Sequence, residues 1–174
     1  MSKFFLLPFF LLLAIAAVSE ACPQGWTASL RSTGGYCFKA FKYDSVSDNH
    51  WSWLAETACN KLGAKLASFD NDFEFKWALG QFKGKFWIGL TLDWTCAVLN
   101  YKPSCTSETL YQYPDKQVHG NGYVNWAETP KPGFNEVGDV VYGDYQTKKM
   151  HPGWNGKVAP EGHMCGMKDP DYKG

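Results

Sequence analysis

Six cysteines, Cys22, Cys37, Cys59, Cys96, Cys105 and Cys165, all follow a single apolar opening stretch, and this arrangement limits what the chain can become. The opening, MSKFFLLPFFLLLAIAAVSEA, has one cation at Lys3, an apolar run from Phe4 to Val18 and small residues at its end. It reads as a signal peptide over residues 1–21, cleaved after Ala21 or after Ser19, so the rest of the chain is expected to be secreted and extracellular. A retained membrane anchor is the competing reading, but the run is short for a bilayer span and no basic cluster flanks it. Export favours disulfides over reduced thiols or zinc, and no CxxC pair occurs. Six cysteines admit fifteen pairings, and spacing alone does not decide among them. Local closeness favours Cys22 with Cys37 and Cys96 with Cys105, which leaves Cys59 for Cys165. That last bond would close a loop of about 105 residues and contribute about 4 to 5 kcal/mol of chain entropy.

Without the signal about 150 residues remain, enough for one domain, expected over residues 22–174. Lys and Arg together number 17, as do Asp and Glu, so no net field draws the chain to nucleic acid or to an anionic membrane. No later segment has membrane-spanning length, no N-x-[ST] sequon is present and no repeat is found.

CPQGWTASLRSTGGYCFKAF places Gly34 and Gly35 between two β-prone runs, a hairpin signal with a cysteine near each end. WLAETACNKLG spaces Leu54, Ala58 and Leu62 at helical intervals, with Ser52 as N-cap and Gly63 at the C-terminal end. A short strand at KLAS precedes a second helix, capped by Asp70 or Asn71, with Phe73 and Trp77 on one face and Gly80 as its stop. KFWIGLTL, residues 85 to 92, is a buried strand, and GDVVYGD at 138 to 144 and HMCGMK at 163 to 168 supply two more. Much of the chain after residue 92 is rich in Gly, Pro, Asn, Asp and Tyr, a length of irregular chain uncommon in a compact domain unless it has a function.

Taken in order, CPQGW with GYCF, WLAETACNKLGAKLAS, DNDFEFKWAL, FWIGL, YVNWAETP, GDVVY, GWNG and HMCGM resemble the long form of the C-type lectin-like domain, from Cys22 to about Lys168. The resemblance implies an α+β fold, two helices packed on two small antiparallel sheets, with a long loop that commonly carries calcium and sugar. It also implies disulfides joining Cys22 to Cys37 and Cys59 to Cys165. A second core disulfide of the family would fall on Val140 and on Val158 or Ala159, so both partners are absent together and apolar side chains can fill the space. Cys96 and Cys105 lie in an insertion, TCAVLNYKPSC, and are expected to staple the long loop.

WAETPKPGFNE, residues 126 to 136, is where the resemblance places ligand chemistry. Calcium takes six to eight oxygens at about 2.3 to 2.6 Å. Sugar-binding members offer some from a Glu-Pro-Asn type triplet around a cis proline and others from a later Trp-Asn-Asp. Here the first site reads Glu128, Thr129, Pro130, Lys131, and an ammonium has no lone pair to give. The second reads Trp154, Asn155, Gly156, and a glutamate common before the strand is replaced by Gly138. Glu128 and Asn155 remain as metal candidates, Asn135 and Glu136 lie close enough to compensate, and Pro130 and Trp126 complete the ligand-binding set. A calcium-free or remodelled site is the expectation. Glu128 and Asn155 as ordinary loop residues bonded to nearby backbone is the competing reading. The tryptophans, Trp51, Trp53 and Trp94 among them, are expected mostly in the core, while Tyr101, Tyr111, Tyr113 and Tyr123 are the candidates for exposed ligand contacts.

No G-x-S-x-G, no H-E-x-x-H and no free nucleophilic cysteine is expected, so a binding module is favoured over an enzyme. His119 and His151 fall in the loop, and finding both beside a carboxylate would revive a zinc site. The leading function is carbohydrate recognition through the long loop, with glycans or glycoproteins as partners and, by the resemblance, a role in innate defence. The alternative is a calcium-independent protein-binding module that uses the same loop.

Overall fold

The computed structural model describes residues 22–98, 105–107, 109–130 and 138–172. The expected hairpin forms from β1 (Thr27–Arg31) and β2 (Gly34–Lys42), with Cys22 bonded to Cys37 at its base. The last strand, β8 (Gly162–Lys168), returns antiparallel to β2 with Lys39 opposite Cys165, so the two ends of the chain share one sheet. A two-residue strand, β3 (Lys65–Leu66), pairs with the other edge of β8.

The second antiparallel group centres on β4 (Lys85–Leu92), with β6 (Val140–Asp144) and β7 (Lys149–Gly153) beyond it and the short β5 (Tyr111–Gln112) alongside. The two groups meet where β4 runs parallel to β8, pairing Phe86 with Gly162 and Trp87 with His163. One continuous path therefore runs β1-β2-β8-β4-β6-β7. Sequence patterning anticipated neither β5 nor β7, nor the short helix α3 (Trp94–Val98), because none carries a periodic apolar run.

Helix α1 (Ser52–Asn60) docks by a different face from the one its leucines suggest. Ser52, Ala55 and Cys59 are buried, whereas Leu54 and Leu62 are 44% and 49% exposed. The physical reason is the disulfide from Cys59 to Cys165, whose Cα atoms stand 5.5 Å apart. So close an approach admits only small neighbours, and the leucines are turned outward. Ser52 is the first helical residue and Trp51 holds the cap position, without a side-chain cap bond.

Helix α2 (Asp72–Gly80) is capped by Asn71, whose Oδ1 accepts from the Glu74 N–H at 3.0 Å. It buries Glu74, Phe75, Ala78 and Leu79, and Trp77 is partly buried against Phe38, but Phe73 points to solvent at 78% exposure. Its buried carboxylate explains the difference: Glu74 turns inward to a bidentate ion pair with Arg31, and the helix face follows it.

Two apolar clusters result. The larger joins Phe38, Phe69, Phe75, Phe86 and Ile88 to Leu110 and Tyr111, and the smaller surrounds the Cys59–Cys165 bond with Trp87, Val140 and Val158. Val140 and Val158 thus fill the region where a second core disulfide was expected to be replaced by apolar packing.

Candidate functional site

The chain between β4 and β6 has few aliphatic residues, so beyond the burial of Leu110, Tyr111 and Tyr113 its order comes from polar groups that find partners. Arg31 supplies the deepest anchor. Its guanidinium is fully buried, lies 3.5 Å from the Tyr36 ring centroid, bonds Glu74 and Ser68, and donates to the Gln117 carbonyl at 2.9 Å. Asp115 is gripped next to it by Tyr36 Oη at 2.7 Å and Ser68 Oγ at 2.6 Å. Burial, reinforced by the Asp115 charge, holds the Tyr36 phenol above its ordinary range, so it stays a donor. Asp70 accepts from the His119 N–H at 2.6 Å, and Asp72 from Tyr123 Oη at 2.7 Å.

The tyrosines take part in this anchoring and do not form a contact surface. Tyr111 and Tyr113 are 2% and 5% exposed and donate to the carbonyls of Gly138 and Tyr123. Desolvation raises both phenols, with Asp139 adding to the effect at Tyr111 and Asp115 at Tyr113. Tyr101 lies outside the described residues. Cys96 and Cys105 are bonded to each other at the start of the segment.

The YVNWAETP stretch runs along β7: Met150 donates to Asn125 O and accepts from the Ala127 N–H, and Trp126 bridges to Met150. Trp126 is half-buried, 5.3 Å from the Tyr111 ring, and packs against the larger apolar cluster. Glu128 is exposed, and its charge is felt at His151. Pro130 is buried, and its peptide bond is trans, as are all bonds among the described residues. Lys131, Asn135 and Glu136 lie outside the described residues.

Asn155 is committed elsewhere. Its Oδ1 accepts from the Ser52 N–H at 2.7 Å, at the start of α1, and its Nδ2 donates to Asp139 Oδ2 at 3.0 Å. Asp139 Oδ1 also accepts from the Asn155 N–H at 3.2 Å. Asn155 thus gives α1 the cap that Ser52 was expected to supply, with its side-chain oxygen engaged by the first residue of the helix. Asp139 is the residue that sequence reading passed over; its only signal was an acid next to the Gly138 position. Gly156 stands at φ +77°, where side chains are disfavoured, and a Cβ at Gly138 would collide with the Gly153 backbone. Neither position accepts an acidic side chain without rearrangement. The described residues therefore do not fit a calcium shell built on Asn155 and Glu128 together.

Trp51, Trp53 and Trp94 are 42%, 54% and 50% exposed, contrary to the expectation of core positions, whereas Trp87 is fully buried. His119 is exposed and His151 stacks on Tyr142, and among the described residues neither joins a group of three metal-ligating side chains. The one such group among the described residues, Cys59, His163 and Cys165, has both sulfurs in a disulfide. Among the described residues no helix is long and apolar enough to cross a membrane.

No protein-family profile matches the chain. C-type mannose receptor 2 of Homo sapiens is 32% identical over 88 residues, covering 42% of this chain and 6% of the receptor. The chain spans less than half the length of either curated relative it matches. A calcium-independent type II antifreeze protein superposes with a TM-score of 0.57 at 21% identity, over 84% of this chain and 94% of that one. The C-type carbohydrate-recognition domain of cow CD23, crystallised in the presence of GlcNAc2Man3 oligosaccharide, does so with 0.56 at 19% identity, over 84% and 95%. The chain has the C-type lectin-like fold.

Proposed function

We propose that this chain is a secreted binding module that recognises carbohydrate through the segment between β4 and β6, without a calcium shell built on Asn155. The single observation that carries the reading is the double commitment of the Asn155 side chain to Ser52 and Asp139. It leaves Glu128 as an exposed acceptor on a segment already ordered by Arg31, Tyr36 and Asp70, so metal is not needed to preorganise the surface. Glu128 would accept from sugar hydroxyls, the half-buried Trp126 would meet an apolar ring face, and Asn135 and Glu136, which lie outside the described residues, are proposed as further ligand contacts from the sequence. The fold accommodates such a use: one neighbour is a carbohydrate-recognition domain solved with an oligosaccharide, and another is described as calcium-independent.

A glycan array probed with the disulfide-intact protein, with and without chelator, tests this. The expected outcome is a glycan signal that survives chelation and falls at least tenfold in Glu128→Gln, with no heat on titration with calcium. A signal abolished by chelator would overturn the calcium-free site. An empty array together with chelator-insensitive binding to a protein would put calcium-independent protein recognition by the same surface in its place.

A further inference from the structure

The chain as a whole is neutral, but its cations are unevenly placed. Where the turn between β6 and β7 comes back over α2 there is a cleft of about 500 Å³, within the usual range for small-molecule sites. Three ammonium groups line it, from Lys76, Lys148 and Lys149, against the single carboxylate of Asp72. Lys76 is matched by Asp72 at 2.5 Å. Among the described residues neither Lys148 nor Lys149 is in an ion pair.

The two unmatched lysines are held in place. Lys149 Nζ donates to Asn125 Oδ1 at 2.6 Å, and Asn125 Nδ2 donates to the Lys148 carbonyl at 3.3 Å. Lys148 has φ +57°, a left-handed conformation uncommon for a residue with a side chain, and its Nζ stands 3.0 Å from the Tyr145 ring centroid. Backbone strain of this kind is retained where the surroundings enforce it, and it gathers at ligand contacts. Leu79 and Gly80 give the cleft an apolar wall.

Cations in excess, one carboxylate, one amide and an apolar wall match the chemistry of one ligand class. We propose that this cleft binds an acidic saccharide unit, a pyranose bearing a carboxylate or sulfate, independently of calcium and of Glu128. The acid group lies between Lys148 and Lys149, ring hydroxyls reach Asp72 and Asn125, and the apolar ring edge faces Leu79. This goes beyond the reading above, because its ligand contacts are Asp72, Asn125, Lys148 and Lys149, none of them among the side chains assigned to the Glu128 surface.

Backbone amide NMR titration of the disulfide-intact protein, in chelator at low salt, tests it. The probes are glucuronic acid, glucose 6-sulfate, glucose, inorganic sulfate and a short glutamate peptide. Glucuronic acid and glucose 6-sulfate are expected to shift the amides of Asn125, Lys148 and Lys149, at least tenfold more tightly than glucose. Lys149→Gln and Lys148→Asn, the latter chosen because Asn tolerates the left-handed backbone, are each expected to weaken binding at least fivefold with the remaining spectrum unchanged. Equal response to glucose, equal response to inorganic sulfate or the peptide, or no response at these three amides would overturn the proposal. Since the readout is local and calcium is absent, failure here leaves carbohydrate recognition at Glu128 standing, and failure of that site leaves this one standing.

Discussion

The β1-β2-β8 sheet with α1 and the segment between β4 and β6 reach order by opposite means. The first is pinned covalently, with Cys22–Cys37 at its hairpin and Cys59–Cys165 tying α1 to the last strand. The second has one short disulfide at its start, seats Leu110, Tyr111 and Tyr113 in the larger apolar cluster, and is otherwise held by buried polar bonds, Arg31 to Gln117, Tyr36 to Asp115 and Tyr111 to Gly138. A covalent staple acts by restricting the unfolded chain, whereas a buried donor acts by the penalty of leaving it unpaired. The segment is therefore ordered by the core it lies on, and its ligand chemistry can change without loss of the fold.

Removing the covalent half should have the largest effect. Replacing Cys59 and Cys165 together by serine releases a span of 106 residues, and stability should fall by about 4 to 5 kcal/mol in the chain-entropy account, read from denaturant midpoints. Next comes the polar half. Arg31→Met leaves the Glu74 carboxylate buried without its ion-pair partner and the Gln117 carbonyl with Thr33 Oγ1 alone as donor, a loss of about 3 to 5 kcal/mol. The two variants differ in where they loosen the molecule: proteolysis near Gln117 should quicken in Arg31→Met before global unfolding. Equal cleavage in both variants would remove the distinction.

The same division explains what the residues revealed in advance. KFWIGLTL matched β4 residue for residue because an apolar run between turn signals leaves little choice. The helix faces were misjudged because periodicity counts size and polarity, while Cys59 and Glu74 set the faces by a bond and an ion pair to distant strands. The tyrosines of the long segment looked like contact residues for a related reason: nothing local shows that Tyr111 and Tyr113 lie over a carbonyl and an aromatic core. At the candidate site the sequence showed which oxygens were missing, but not that Asn155 had been taken over by α1 and Asp139.

A titration probes the seam between the two sheets. His163 is buried beside the Cys59–Cys165 bond, stacks on Phe41, and has Nδ1 3.1 Å from Tyr43 Oη, while Nε2 has no partner among the described residues. Desolvation lowers its pKa to about 4, below that of an unfolded histidine. The unfolded chain then binds a proton that the folded chain refuses, so this contribution is complete above about pH 6.5 and is lost as pH falls toward 4. The slope from this one group is at most about 1.4 kcal/mol per pH unit. Denaturant midpoints measured across that window should fall with acid, and His163→Phe should flatten the fall while leaving the Arg31→Met penalty unchanged.

The smallest effect bears most directly on the site. Asn155→Ala removes the acceptor for the Ser52 N–H and the donor to Asp139, and loss of a helix cap costs about 1 kcal/mol. If Asn155 belongs to the scaffold, the variant loses that stability and its glycan binding is unaltered with or without chelator. Asp139→Asn should lose less, because the Asn155 N–H keeps an acceptor at Oδ1 even when the charge is gone. If Asn155 is instead a metal ligand, calcium should stabilise the native protein by mass action, and Asn155→Ala should abolish that stabilisation without a change in the calcium-free midpoint. Thermal melts with calcium and with chelator, on the native chain and the two variants, separate these cases, because a cap acts in both conditions and a ligand in one.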